Sequence, residues 1–166
     1  IERVIAGCAR CLVLESGRTN DAIVTQRKGT GAVTVTAHGR AAHAGNNHAD
    51  GANAIWALSR FVDRAQQLTD YPRGVTINVG KLGGGQGKNT VPDLAVAELD
   101  LRFQTRADAQ WLMEQLGAAA QAAASSVKGP RLELPGGPAR LPMERSEQSL
   151  ALLDASARCA RAHGLG

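Results

Sequence analysis

The sequence predicts an α+β fold: a four-stranded antiparallel sheet with two helices on one face, in the order βαββαβ. Three observations carry this. Residues 33–37, 75–79 and 95–103 alternate apolar and polar side chains, the period of a strand with one face buried and the other wet. Residues 50–68 and 105–123 repeat apolar side chains three and four apart, the stripe of a helix lying on a sheet. A last short alternating run, Arg131-Leu132-Glu133-Leu134, follows the second helix and completes the split βαβ, or ferredoxin-like, arrangement.

In chain order, Ile1–Gly7 reads as a helix end with Val4 and Ile5 inward and Gly7 as its stop. Cys11-Leu12-Val13-Leu14 is a continuous apolar run, as expected of a strand covered on both faces. Glu15 follows it, at the end of the strand where open α/β sheets bind ligands; a solvated loop glutamate is the plain alternative. From Gly31 onward, Val33, Val35 and Ala37 share one face and Thr34, Thr36 and His38 the other. Asp50 is the candidate cap of a helix carrying Ile55, Leu58, Val62, Ala65 and Leu68, ended by Tyr71-Pro72. Val75, Ile77 and Val79 lead to the glycine-rich turn Gly80–Gly85, and the strand with Ala95, Ala97, Leu99, Leu101 and Phe103 returns as a hairpin. Thr105 and Asp108 have capping-box spacing before Leu112, Leu116, Ala119 and Ala123, and Gly129-Pro130 stops that helix. Gly136-Gly137-Pro138 reads as a boundary, and a final helix with Leu150, Leu153, Ala157 and Ala160 ends at Gly164.

Composition narrows the function. A chain of 166 residues holds one good core, and 43% hydrophobic against 3% aromatic residues makes that core aliphatic. An RNA-binding sheet stacks bases on aromatics, so nucleic acid is not an expected partner. The net charge of +4 is scattered and reads as solvated surface. Cys8, Cys11 and Cys159 are an odd set with no second CxxC to complete a zinc site, and are expected to be ordinary, at least partly buried thiols. No apolar run reaches membrane-spanning length. The chain opens without an initiator methionine or targeting signal and reads as a piece of a longer protein, cytoplasmic by default.

The functional signal lies in Gly39-Arg40-Ala41-Ala42-His43-Ala44-Gly45, a histidine among small residues directly after a strand, where working side chains are commonly placed. A surface histidine in a turn is the competing reading. With Asp50-Gly51-Ala52-Asn53-Ala54 after it, and Leu12-Val13-Leu14-Glu15, Gly17-Arg18 and Ile23–Gly29 before it, this stretch resembles the M20 metallopeptidases. That family includes glutamate carboxypeptidases, acylaminoacylases and succinyl-diaminopimelate desuccinylases. The resemblance implies that residues 30–137 form a dimerisation, or lid, domain. Residues 1–29 would then end the first catalytic-domain segment, and 138–166 begin the second.

The resemblance also implies roles. The parent enzyme would hold two zinc ions, with Glu15 as a terminal ligand. His43 would contact the scissile carbonyl in the partner subunit's active site, Asn89 would hydrogen-bond the substrate, and Arg102 would bind its carboxylate bidentately. Read from the residues alone, Asn89 is equally a turn former and Arg102 a partner for Asp100. His38, His48 and His163 carry no such signal and are expected to face solvent. One carboxylate makes no zinc site, so this chain alone is expected to be inactive and to bind no zinc tightly. Its expected partners are a second copy, met through the helix of 50–68 and an edge strand at 75–79, and a small peptide or N-acyl amino acid. A ferredoxin-like module that only oligomerises or binds a small molecule is the alternative from another class.

Overall fold

The computed structural model describes residues 6–8, 10–13 and 22–164. They divide into two compact units, Gln26–Arg145 and a smaller one drawn from residues 1–25 and 146–166. In the larger unit the elements run β1 (Gly29–His38), β2 (Ala42–His43), α1 (Ala54–Gln66), β3 (Thr76–Gly84), β4 (Thr90–Val91), β5 (Leu94–Phe103), α2 (Arg106–Ser125), β6 (Arg131–Glu133) and β7 (Gly136–Arg140). The main sheet has the order β3-β5-β1-β6, with β7 also on β1, while β2 and β4 form a separate ladder. This is the antiparallel, ferredoxin-like order that the sequence predicts.

β6 and β7 share one edge of β1. β6 pairs with Thr36–His38 and β7 with Thr30–Val33, and the Thr34 N–H donates to the Pro135 carbonyl between them at 3.0 Å. Gly136-Gly137-Pro138, read from sequence as a boundary, therefore lies inside a paired strand. The glycines permit a close approach rather than an exit. Gly136 has φ +114° and a Cβ there would stand 2.3 Å from the Ala32 carbonyl oxygen, so only glycine brings the chain onto β1 at this point.

The core lies between one sheet face and both helices. Val33, Val35 and Ala37 of β1, Ile77 of β3 and alternate residues Ala95 to Phe103 of β5 are buried, matching the predicted period of two. Opposite them are Ala54, Ala57, Leu58, Phe61 and Ala65 of α1 and Leu112, Leu116, Ala119 and Ala123 of α2. Small alanines let the helices sit close, and the fully buried Phe61 and Phe103 fill the volume; each such ring is worth roughly 2–3 kcal/mol of burial.

The start of α1 differs from expectation. Asn53, not Asp50, caps it, its Oδ1 accepting the Trp56 N–H at 2.8 Å. The chain stays extended to Ala52 because Arg40 and Ala52 exchange both backbone hydrogen bonds at 2.9 Å, and Asp50 sits in a separate single turn, His48–Asp50. The buried stripe shifts accordingly: Ile55 is exposed and Val62 is half-buried. The second helix starts as predicted, with the full Thr105–Asp108 capping box.

The edge expected at Val75, Ile77 and Val79 is not open. Ile77 is a core residue. Its N–H donates to Thr69 Oγ1 at 3.2 Å, and the Val79 N–H donates to Gln66 Oε1 at 3.1 Å. Side chains at and just beyond the end of α1 thus satisfy the donors that an incoming strand would use. Past the irregularity between Val79 and Lys81, residues 80–84 are exposed.

In the smaller unit, Cys11-Leu12-Val13 is neither a strand nor covered: Leu12 and Val13 are exposed. A strand buried on both faces needs paired neighbours and covering helices, and no strand pairs with it among the described residues. The three cysteines are likewise exposed rather than buried. α3 (Glu147–Ala162) forms as expected, capped by Ser146, with no fully buried residue. The expected helix end at Val4-Ile5 and the site residue Glu15 lie outside the described residues.

Asp108 is the one buried charged residue described. It accepts from Arg73 Nε at 2.5 Å and from the Thr105 N–H at 3.1 Å, and Arg73 stacks over Trp111 at 4.3 Å. Burial alone raises such a carboxyl, but hydrogen bonds from Thr105 and Arg73 outweigh it and hold Asp108 below the ordinary aspartate value. A depressed pKa contributes stability above the unfolded-state value, and that contribution is lost as pH falls through the folded-state one. Asp108→Asn should therefore cost about 1–2 kcal/mol at neutral pH. Urea titrations should show the gap from wild type closing as pH falls below the ordinary aspartate range; a gap that is constant with pH would contradict the charged role.

Candidate functional site

The site is built at the end of the sheet where β1 stops and β5 starts. Three backbone bonds fasten the loop between β1 and α1 there: Gly39 N–H to Asp93 O at 2.7 Å, Ala54 N–H to Pro92 O at 2.8 Å, and Ala44 N–H to Asn89 O at 2.9 Å. Between them β2 pairs with β4, Ala42 opposite Val91 and His43 opposite Thr90. Val91 is buried beneath this ladder. The structure thus brings His43 and Asn89 together from distant parts of the sequence.

His43 is exposed, yet its ring is held. Nδ1 accepts backbone N–H groups from Gly45 at 3.1 Å and Asn46 at 3.2 Å, which leaves Nε2 as the outward nitrogen. Arg40 braces the same loop, its Nε donating to the Asp50 carbonyl at 2.5 Å. Next to the ladder is an open cleft of about 570 Å³ lined by Ala44, His48, Asn53, Ile55, Lys88 and the glycine-rich loop. Its lining holds a lysine and a histidine and no carboxylate, a lining suited to an anionic or carbonyl-bearing group.

Arg102 is not part of this cluster. It is exposed near the far end of β5, and it grips Asp100 with two bonds, Nε to Oδ2 at 2.8 Å and Nη2 to Oδ1 at 3.1 Å. The strand from Leu94 to Arg102 spans roughly 26 Å at ~3.3 Å per residue. His38, expected in solvent, is half-buried with Nε2 3.4 Å from Glu133 Oε2, because β6 pairs across it. His48 and His163 are exposed, as expected.

His48-Ala49-Asp50 has the His-x-Asp spacing of a metal-ligand pair, but it occupies a single turn. Among the described residues no three His, Cys, Asp or Glu side chains are grouped to hold an ion, so they do not fit a metal centre. Lys88 and Gly45 lie within or beside the quoted motifs, but the sequence does not show that Lys88 lines a cleft or that the Gly45 and Asn46 amides turn back onto His43.

Comparisons with known proteins bear on the fold that carries this site. Residues 25–128 match the family model for the M20 peptidase dimerisation domain. The chain is 34% identical over 79 residues to a Haemophilus influenzae homolog of a p-aminobenzoyl-glutamate hydrolase chain, an alignment that covers 47% of this chain and 19% of the relative. It is 32% identical over 93 residues to the indole-3-acetyl-aspartic acid hydrolase of Enterobacter agglomerans, covering 52% and 21%. The aligned stretch is therefore about a fifth of these relatives' length. Among solved structures, an aminobenzoyl-glutamate utilization protein from Klebsiella pneumoniae superposes with TM-score 0.63 at 28% identity, over 69% of this chain and 29% of that one. A dinuclear metal-binding M20 peptidase from Bacillus subtilis shares the fold, with TM-score 0.63 at 16% identity, over 83% and 33%.

Because Val91 is the apolar anchor of the ladder, Val91→Ala should loosen the site before the core. Amide exchange is expected to rise at Ala44 and Thr90 while Val35 and Leu99 keep their wild-type protection. Equal acceleration everywhere would show that the ladder is not a separate local unit.

Proposed function

The chain belongs to the M20 peptidase dimerisation-domain family, and from that premise we propose that it is the self-associating lid of a metal-dependent hydrolase that cleaves the amide bond of a peptide or N-acyl amino acid. The observation that carries the reading is the β2–β4 ladder, which holds His43 and Asn89 side by side at an exposed sheet end next to an open cleft. Placed over a substrate, the His43 ring edge would contact the scissile carbonyl and Asn89 a neighbouring polar group. The named substrates of the relatives, an aminobenzoyl-glutamate and an indoleacetyl-aspartate, are N-acyl acidic amino acids, and Lys88 in the cleft lining suits such an anion.

Arg102 enters this reading in another place. With roughly 26 Å of β5 between Leu94, at the cluster's end of the sheet, and Arg102, it does not share a substrate with the His43 of its own protomer. His43 and Asn89 serve the partner's site, and Arg102 serves its own, exchanging Asp100 for a substrate carboxylate.

Zinc in the parent would activate the attacking water, with Glu15 as one ligand. The described residues do not fit an ion, so the remaining ligands belong to the rest of the parent. Residues outside Gln26–Arg145 are the catalytic-domain pieces in this reading. The chain alone is then inactive, and titration calorimetry should show no stoichiometric submicromolar zinc binding. The full-length parent with zinc should hydrolyse N-acyl glutamates, and inertness towards a panel of N-acyl amino acids and dipeptides would overturn the proposal.

Self-association uses the exposed part of β3, residues 80–84, because the donors at Ile77 and Val79 are already satisfied. Leu82 is 57% exposed there, and Ile55 at the start of α1 lies 3.3 Å from where a Gly85 Cβ would stand. A second copy adding its own 80–84 across a two-fold axis would pair the open backbone and cover these side chains. Sedimentation at tens of micromolar should give a dimer, and Leu82→Lys a monomer of unchanged circular dichroism. A monomeric wild type would refute this interface.

A further inference from the structure

We infer that the backbone amides of Gly45 and Asn46 bias the tautomer of His43, so that its neutral imidazole meets a substrate as an Nε2–H donor; the functional half of this rests on the role proposed above for His43. Both N–H groups converge on Nδ1, at 3.1 and 3.2 Å. A neutral imidazole has one protonated and one acceptor nitrogen, and two donors aimed at one nitrogen make it the acceptor. The proton then resides on Nε2. In many enzymes Nδ1–H is donated to a carboxylate or carbonyl, which leaves Nε2 free to take a proton. At His43 the polarity is reversed. The outward nitrogen is a hydrogen-bond donor, the group that stabilises charge growing on a carbonyl oxygen.

The local sequence is organised to do this without another side chain. Four consecutive amides are committed: Ala44 N–H to the Asn89 carbonyl, Gly45 and Asn46 N–H to Nδ1, and Asn47 N–H to the His43 carbonyl at 3.0 Å. The first ties the turn to β4 and the last closes it, so the middle two point back at the ring. Gly45 lies close against that ring, since a Cβ there would stand 3.4 Å from Cε1 and 3.5 Å from Nδ1. A Cβ there would make ordinary van der Waals contact with the ring, so it is the Gly45 amide and not the missing side chain that serves the nitrogen. Gly45 and Asn46 are therefore positioning residues, acting on the substrate only through His43.

The test is spectroscopic and needs no catalysis, so its failure is distinct from failure of the proposed function. Long-range proton–nitrogen NMR of the ¹⁵N-labelled chain, at alkaline pH where imidazoles are neutral, separates the two tautomers. His48, exposed in the same loop, is the internal reference. His43 should show an acceptor-type Nδ1 and a protonated Nε2, with a tautomer ratio at least about five-fold beyond that of His48, the shift one ordinary hydrogen bond gives. Asn46→Pro, which deletes one donor, should move His43 about five-fold back towards His48, while Gly45→Ala, which keeps its amide and adds only a van der Waals contact, should leave the ratio as in wild type. An Nδ1–H tautomer, or a wild-type ratio equal to that of His48, overturns the inference even if a variant misfolds. A well-folded Asn46→Pro with an unchanged ratio overturns it as well.

Discussion

Everything in the larger unit depends on the antiparallel pairing of β1 with β5, which is unbroken from Gly29 opposite Phe103 to His38 opposite Leu94. Such a pair fixes side-chain direction along both strands at once, because a slip of one residue would turn the apolar face outward. With Val33, Val35, Leu99 and Leu101 all facing inward, the register admits no alternative. The ends of this ladder are therefore fixed points. One presents the loops that carry His43 and Asn89, and the other presents Arg102.

The fixed geometry explains why the two sheet edges behave differently. On one side the chain returns as β6 and β7 and covers β1 with two short strands. On the other, β3 is closed by Thr69 and Gln66 over its first half and exposed over its second. The irregularity after Val79 separates the halves. A strand can thus belong to a monomer's core at one end, through Ile77, and offer backbone to a second copy at the other. The exposed half is most of the glycine-rich stretch Gly80–Gly85 and runs into Gly84 and Gly85 of the cleft lining, which sets the proposed association surface beside the cleft.

Much of this was legible in the sequence. Strand alternation through residues 33–37 and 95–103, the capping box at Thr105 and the stripe from Leu112 to Ala123 report local periods that tertiary packing reinforces. Less legible was anything decided by a partner distant in the chain. Asp50 is as good a cap as Asn53 in isolation, and only the Arg40–Ala52 exchange keeps it out of the helix. Gly136-Gly137 looks like an exit until the Ala32 carbonyl explains why side chains are missing there. Edge protection by Gln66 and Thr69 has no sequence signature, because any polar residue after a helix would look the same. For the site, His43 and Asn89 stood out through their motifs, but their adjacency follows from the β2–β4 pairing and the remoteness of Arg102 from the β1–β5 register.

That remoteness is the sharpest consequence of the fold. One rigid sheet carries at opposite ends the two sets of groups proposed to meet substrate, so under that proposal a single protomer does not close both on one molecule. The central claim is that the chain lends His43 to its partner while keeping Arg102 for itself. Mixing full-length His43→Ala with full-length Arg102→Ala under conditions that exchange protomers measures this directly. Each variant alone should be impaired. In the mixed dimer one site receives an intact His43 from one chain and keeps an intact Arg102 on the other, so random mixing should restore about a quarter of wild-type turnover. No recovery, with heterodimers demonstrably formed, would contradict the account.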